Sequence, residues 1–176
     1  RDWKDGWRGG AEVSLTGDIV KSYRAPRAVV RDKLSRPPRE DRVLATLMGA
    51  CLLSFVAQWP GHARAAHLDP EIPLDARLSG ALMGAVFVLP ILAYALAGMG
   101  HLVLRLFGGR GTFYGARLAL FWAMLAVAPL MLLNGLVRGL IGPGPEQALT
   151  GAVAGLGFLA IWVAGLRVAE FEAGRG

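Results

Sequence analysis

The chain has 176 residues, 54% of them hydrophobic, with a mean hydropathy of +0.44. The apolar residues are gathered into blocks of roughly 17 to 25, the length that crosses a bilayer core, which excludes an ordinary soluble domain. The net charge of +6 and the pI of about 10.2 lie beside those blocks, so they speak for membrane topology and anionic lipid rather than for nucleic-acid binding.

Residues 1–13 are polar, glycine-rich and without period, and are read as a mobile tail in which Trp3 and Trp7 are the only large apolar groups. Residues 14–42 form a basic amphipathic segment. Its first piece, Thr16 to Arg24, gathers Ile19, Val20 and Tyr23 at helical spacing. Ala25 precedes a proline and is pushed away from helix, while Pro26 suits the first turn of a new one. That second piece, Pro26 to Leu34, sets Val29, Val30 and Leu34 opposite Arg27 and Arg31. The pattern predicts two helices lying in the membrane interface with their apolar sides on lipid. Packing on the protein itself is the alternative. In the hinge at 35–41, Pro38 opens the next helix, and Glu40 and Asp41 suit its positive end.

Four spans follow, at about 43–59, 78–104, 118–137 and 148–166, within a membrane domain reaching residue 170. Gln58, Trp59 and Pro60 are expected to close the first, and 61–77 to be a polar loop. Pro90 and Pro129 predict kinks in the second and third, since each removes one backbone donor. Residues 105–117 form a short basic loop, Gly-Pro-Gly-Pro at 142–145 a tight break, and 171–176 a cytoplasmic tail. The first apolar run begins near Val43, after some forty polar residues, and does not have the form of a signal peptide. Four spans with both termini in the cytoplasm place 16 of the 19 lysines and arginines inside, leaving Arg64, Arg77 and Arg138 outside. Only Lys4, Lys21 and Lys33 of the basic residues are lysines, a bias that points to a GC-rich bacterial genome.

Catalytic chemistry finds little support. Cys51 is the single cysteine, so an internal disulfide and a thiolate cluster are excluded, and it is expected to be a small core residue. Ser54 and Ser79 have no nearby His or Asp to activate them. His101 stands near the cytoplasmic end of the second span, four residues before Arg105. It is read as an interfacial histidine bonded to a backbone carbonyl, against the alternative of a proton relay or cofactor ligand. His62, His67, Asp69, Glu71 and Asp75 match no metal-ligand spacing and are read as a solvated loop. Gln58 and Asn134 are candidates for hydrogen bonds between helices. Gly-Gly-Arg-Gly at 108–111 lacks the Gly-Lys-Ser/Thr ending of a P-loop. Arg105, Arg110 and Arg117, with Arg27 and Arg31, are instead expected to meet lipid headgroups or a partner. Gly80 and Gly84, and Gly151 and Gly155, have the small-xxx-small spacing of helix packing seams, within the chain or between subunits.

Gly-Gly-Arg-Gly-Thr-Phe-Tyr-Gly-Ala-Arg (108–117), followed by Phe121-Trp122 and Ala128-Pro129-Leu130, resembles the Yip1 domain. Ser-Tyr-Arg-Ala-Pro-Arg-Ala-Val (22–29) and the helix around Trp162 extend the likeness over about residues 20–170, nearest to small bacterial members. The resemblance implies a cytosolic N-terminal segment and about five spans, where the hydropathy here gives four. For eukaryotic members it implies vesicle trafficking and binding of Rab-type small GTPases. The expectation is therefore an all-α protein of the bacterial inner membrane with four transmembrane helices after an amphipathic segment. It is expected to be non-enzymatic and free of cofactor and metal. As accessory subunit or scaffold it would organise other membrane components, with anionic lipid, a membrane protein or a second copy as partner. The alternative is a small transporter or channel with the proline kinks as moving parts.

Overall fold

From Leu118 to Ala128 the chain is apolar on every side, and a helix of that kind belongs in the middle of other helices. The computed structural model, which describes residues 15–172, places it there. In this stretch every residue but Met124 is buried. Seven α-helices run in order: α1 Leu15–Arg24, α2 Pro26–Leu34, α3 Glu40–Leu68, α4 Leu74–Met83, α5 Leu89–Leu106, α6 Phe113–Leu140 and α7 Pro145–Arg167. Gly84–Val88 is a π-helical turn joining α4 to α5, and Val168–Glu172 is a second that extends α7. Among the described residues there is no strand. Four helical units are long and apolar enough to cross a membrane: Glu40–Leu68, Leu74–Leu106, Phe113–Leu140 and Pro145–Glu172. The tail expected at 1–13, with Trp3 and Trp7, and the last four residues of the expected C-terminal tail lie outside the described residues.

The central helix α6 packs along its length against α3 and α7. The α3 contact is closest at Gly135 and Gly139. A Cβ on Gly135 would collide with the Ala57 carbonyl, and one on Gly139 with the Pro60 ring, so only glycine lets the two backbones touch. Of the second span only Ala85, Ala93 and Ala97 are buried, which makes it the peripheral helix of the bundle.

The first span does not stop at Pro60. The helix runs on to Leu68, and the expected loop shrinks to the turn before Leu74. Proline costs one hydrogen bond, and tertiary contacts hold the helix beyond it. Pro60 packs on Gly139, and one turn later the Arg64 guanidinium donates to the carbonyls of Gly139 and Leu140, 3.4 and 3.3 Å away. A cation at the carbonyl end of α6 also complements the helix dipole. Arg77 closes the turn by donating to Asp69 Oδ2 at 2.8 Å and to the Ile72 carbonyl at 2.9 Å.

The irregularity in the second span lies just ahead of Pro90. In α register the Pro90 ring would press on the Val86 carbonyl. The wider π-helical turn over Gly84–Val88 moves that carbonyl aside. Pro129 lies inside α6.

Helices α1 and α2 begin and end where the sequence puts them, with Pro26 in the first turn of α2. The apolar side of α2 meets protein, whereas Val20 and Tyr23 of α1 remain exposed. Val29 and Val30 are buried in one cluster with Trp122, Ala126 and Ile161, and Ile19 and Leu34 pack against it. The pair forms a hairpin wedged onto α6 and α7. At its tip the Tyr23 hydroxyl donates to the Ala126 carbonyl at 2.7 Å. At 1.5 Å per residue, Ala126 lies about 20 Å along α6 from Phe113, so the tip reaches well below the helix end. Partial desolvation holds the Tyr23 phenol above its usual pKa. Behind it the Trp122 indole donates to Ser22 Oγ at 2.9 Å, and the Ser22 hydroxyl donates to the Asp18 carbonyl at 2.8 Å.

Candidate functional site

The polar chemistry of the described chain is concentrated at one end of the bundle. There α2 ends, α3 and α6 begin, and α5 and α7 finish. Thr112 starts α6, its hydroxyl accepting from the Gly115 amide at 3.1 Å. The loop before it turns at Gly108, where φ is 87°, a conformation that favours glycine.

Glu170 is the most deeply buried ionisable group described, with 0% exposure. It sits in the π-helical turn after α7, at what the hydropathy marks as the end of the membrane domain. Its Oε1 lies 2.6 Å from Nδ1 of His101, so a proton must stand between them. Its Oε2 accepts from the Gly111 amide at 3.2 Å, and its carbonyl accepts from the Arg110 amide at 2.9 Å. A buried carboxylate is tolerable only with such partners. Gly109 and Gly111 make room for it: a Cβ on either would come within about 3 Å of the Glu170 carboxylate. The Gly-Gly-Arg-Gly loop thus cradles a carboxyl group, and that group belongs to the protein's own side chain. His101 bonds a carboxylate rather than the expected backbone carbonyl, and its ring meets the edge of Phe113 at a centroid distance of 5.9 Å. The arrangement is a clasp joining α5, the 107–112 loop and the end of α7.

The five arginines that the sequence singles out do not form one group. Arg31 is bound to Glu172, and Arg117 donates to Glu40 at 2.6 Å with its guanidinium beside the Phe113 ring. Arg27, Arg105 and Arg110 are exposed. A Cβ placed on Gly80, Gly84 or Gly155 would meet no atom within 4 Å, so these glycines make no seam inside the chain, while Gly151 faces Asn134 at 3.5 Å. Asn134 accepts from the Thr150 hydroxyl at 2.9 Å, which ties α6 to α7; Gln58 donates to Ser54 within α3. His62 and His67 lie on α3, ahead of the turn that carries Asp69 and Glu71, with Asp75 beginning α4. Cys51 is buried in the core.

Two cavities have no counterpart in the sequence expectations. One, of about 430 Å³, opens between the hairpin and the first turns of α3 and α6. Lys33, Arg36, Arg39 and Arg42 stand around it, over apolar residues that include Val43, Leu118 and Trp122. Lys33 Nζ lies 3.8 Å from the centre of a Trp122 ring and 2.9 Å from Asp18. A signal for it is present in the sequence: a cation at every third position from 33 to 42, across Pro37-Pro38. The prolines break the helix, so Lys33 ends α2, Arg36 and Arg39 lie in the connection and Arg42 begins α3, all facing the one cavity. The other cavity, of about 450 Å³, is a groove over α6 framed by α3, α5 and α7, with Gln58, Leu89, Asn134, Gly151 and Gly155 among its walls.

No curated protein and no solved structure matches the chain. The Yip1 domain matches residues 20–176, from the hairpin through all four spans to the clasp. With that match and four membrane-spanning helical units, the chain belongs to the Yip1 domain family of multi-pass membrane proteins.

Proposed function

We propose that this chain is a non-enzymatic protein of the bacterial inner membrane that organises or assists other membrane components, as an accessory subunit or scaffold. The observation that carries the reading is the groove beside the loosely held second span. Its glycines offer close backbone approach, Gly155 has open space before it, and Asn134 and Gln58 supply hydrogen-bonding groups at its wall. Helices associate in lipid through such small residues and polar side chains, so the groove suits a helix of a membrane-protein partner. The distribution of lysine and arginine supports a basic end in the cytoplasm, with both termini there.

The test is gentle extraction of the native protein from its own membranes, followed by native electrophoresis and mass spectrometry. Comigration with a specific membrane protein, lost when Gly155→Leu fills the groove, is the expected result. Migration alone or only with lipid in both forms would defeat the proposal. A second reading, a small transporter, draws on the π-helical turn and Pro90 lying next to Leu89 at the wall of the same groove. Solute flux into proteoliposomes that changes with Pro90→Ala is its requirement.

A further inference from the structure

We propose that the cavity between the hairpin and the start of α3 and α6 is a binding site for one anionic phospholipid, with its phosphate held by Lys33, Arg36, Arg39 and Arg42. The proposal does not depend on a protein partner, and the cavity shares no lining residue with the groove.

The charge is one-sided. Four cations line the cavity, and among the described residues no carboxylate does. Their own acidic neighbours lie outside it: Asp18 for Lys33, Asp32 for Arg36 and Asp41 for Arg39, at 2.9, 2.7 and 2.8 Å. The Arg36 and Arg39 pairs are solvent-exposed on both sides, and pairs of that kind give way easily to a stronger acceptor. A phosphate is such an acceptor, since guanidinium groups meet it through paired N–H donors. Arg42 has no carboxylate partner among the described residues. The hydroxyls of Tyr114 and Thr46 add neutral groups at the same wall.

The remaining walls decide between a lipid and a soluble phosphate. Leu15, Val43, Leu118 and Trp122 are apolar, and Val43 and Leu118 are where the apolar runs of α3 and α6 begin. The cavity therefore straddles the level at which headgroup gives way to acyl chain. A volume of about 430 Å³ takes a headgroup and the first methylenes of a lipid, whose chains then leave along the bundle surface. A soluble phosphate would use the cations and leave the apolar walls without a partner. Basic pockets between transmembrane helices at the charged side of a membrane recognise anionic headgroups by the same logic.

The full chain in a nonionic detergent is titrated with phosphatidylglycerol and, separately, with phosphatidylcholine, and bound lipid is counted by native mass spectrometry. One phosphatidylglycerol should be retained at about tenfold lower concentration than phosphatidylcholine, and Arg36→Gln with Arg42→Gln should remove that preference by about tenfold. Lys21→Gln with Arg24→Gln, toward the hairpin tip and away from the cavity, should leave it intact. Glycerol 3-phosphate at the same concentrations should displace nothing. Equal retention of the two lipids by the unaltered protein overturns the proposal without recourse to any variant. Equal losses in the two double variants, or displacement by glycerol 3-phosphate, would overturn it as well.

Discussion

Replacing Gly135 by alanine tests whether the α3–α6 contact depends on backbone touching backbone. The new methyl would overlap the Ala57 carbonyl, and the equivalent change at Gly139 would press on the Pro60 ring and lie 2.8 Å from the Pro60 carbonyl carbon. Carbon atoms rest at about 3.5–4.0 Å, so α3 must retreat by on the order of 1 Å. Neither neighbour is a flexible side chain that can swing away. An overpacked methyl costs about 1–3 kcal/mol, and the rigid neighbours place this one at the upper end. The better helix propensity of alanine offsets about 1 kcal/mol, leaving a net loss of about 2 kcal/mol. In a bilayer no hydrophobic force between helices compensates, because packing itself holds the bundle together. The assay is reversible unfolding of the detergent-solubilised protein on titration with dodecyl sulfate. Gly80→Ala, which meets no atom within 4 Å, is the control and should be neutral or slightly stabilising. If Gly135→Ala unfolds with the same midpoint as Gly80→Ala, the backbone-contact argument is refuted.

Glu170→Ala leaves His101 and the Gly111 amide without their acceptor and should destabilise the basic end by about 3 kcal/mol, read as faster hydrogen exchange over residues 105–113. Tyr23→Phe removes one hydrogen bond to the Ala126 carbonyl and should cost about 1 kcal/mol, seen in the same unfolding titration. Arg117→Ala should change stability by under about 1 kcal/mol, because its partner Glu40 is exposed and solvent screens the pair. Cysteines placed at Arg110 and at Glu71 (in Cys51→Ser) should react with an impermeant maleimide from opposite sides of sealed vesicles; reaction from one side would remove the four-span topology.

The four spans are legible as unbroken apolar runs, and Pro26 marks the boundary between α1 and α2 by its fixed dihedral alone. What the hairpin covers is not legible. Val29 and Val30 announce an apolar side, yet periodicity is the same whether that side meets lipid or Trp122. Glycine spacing misleads for a related reason. Gly80 and Gly84, Gly151 and Gly155, and Gly135 and Gly139 share one interval, and only the position of α3 selects the last pair. The extension past Pro60 depends on Arg64 finding the end of a helix some seventy residues later. Glu170 is hidden because an acid just past the last span, with Glu172 two residues on, reads as a solvated end. The apolar run around it, Val168, Ala169 and Phe171, is the mark of a continuing helix, and His101 sits at the same end of the bundle.

The hairpin is synthesised before anything it rests on. Its seat on Trp122 and Ala126 emerges about a hundred residues later, and its pairing of Arg31 with Glu172 needs the last described residue of the chain. Docking of α1 and α2 therefore has to await the third span, which carries that seat. The pairing of Arg31 with Glu172 is added only when the turn after α7 is in place. Contact with α6 therefore becomes available before contact with the turn after α7, and the hairpin docks in two stages.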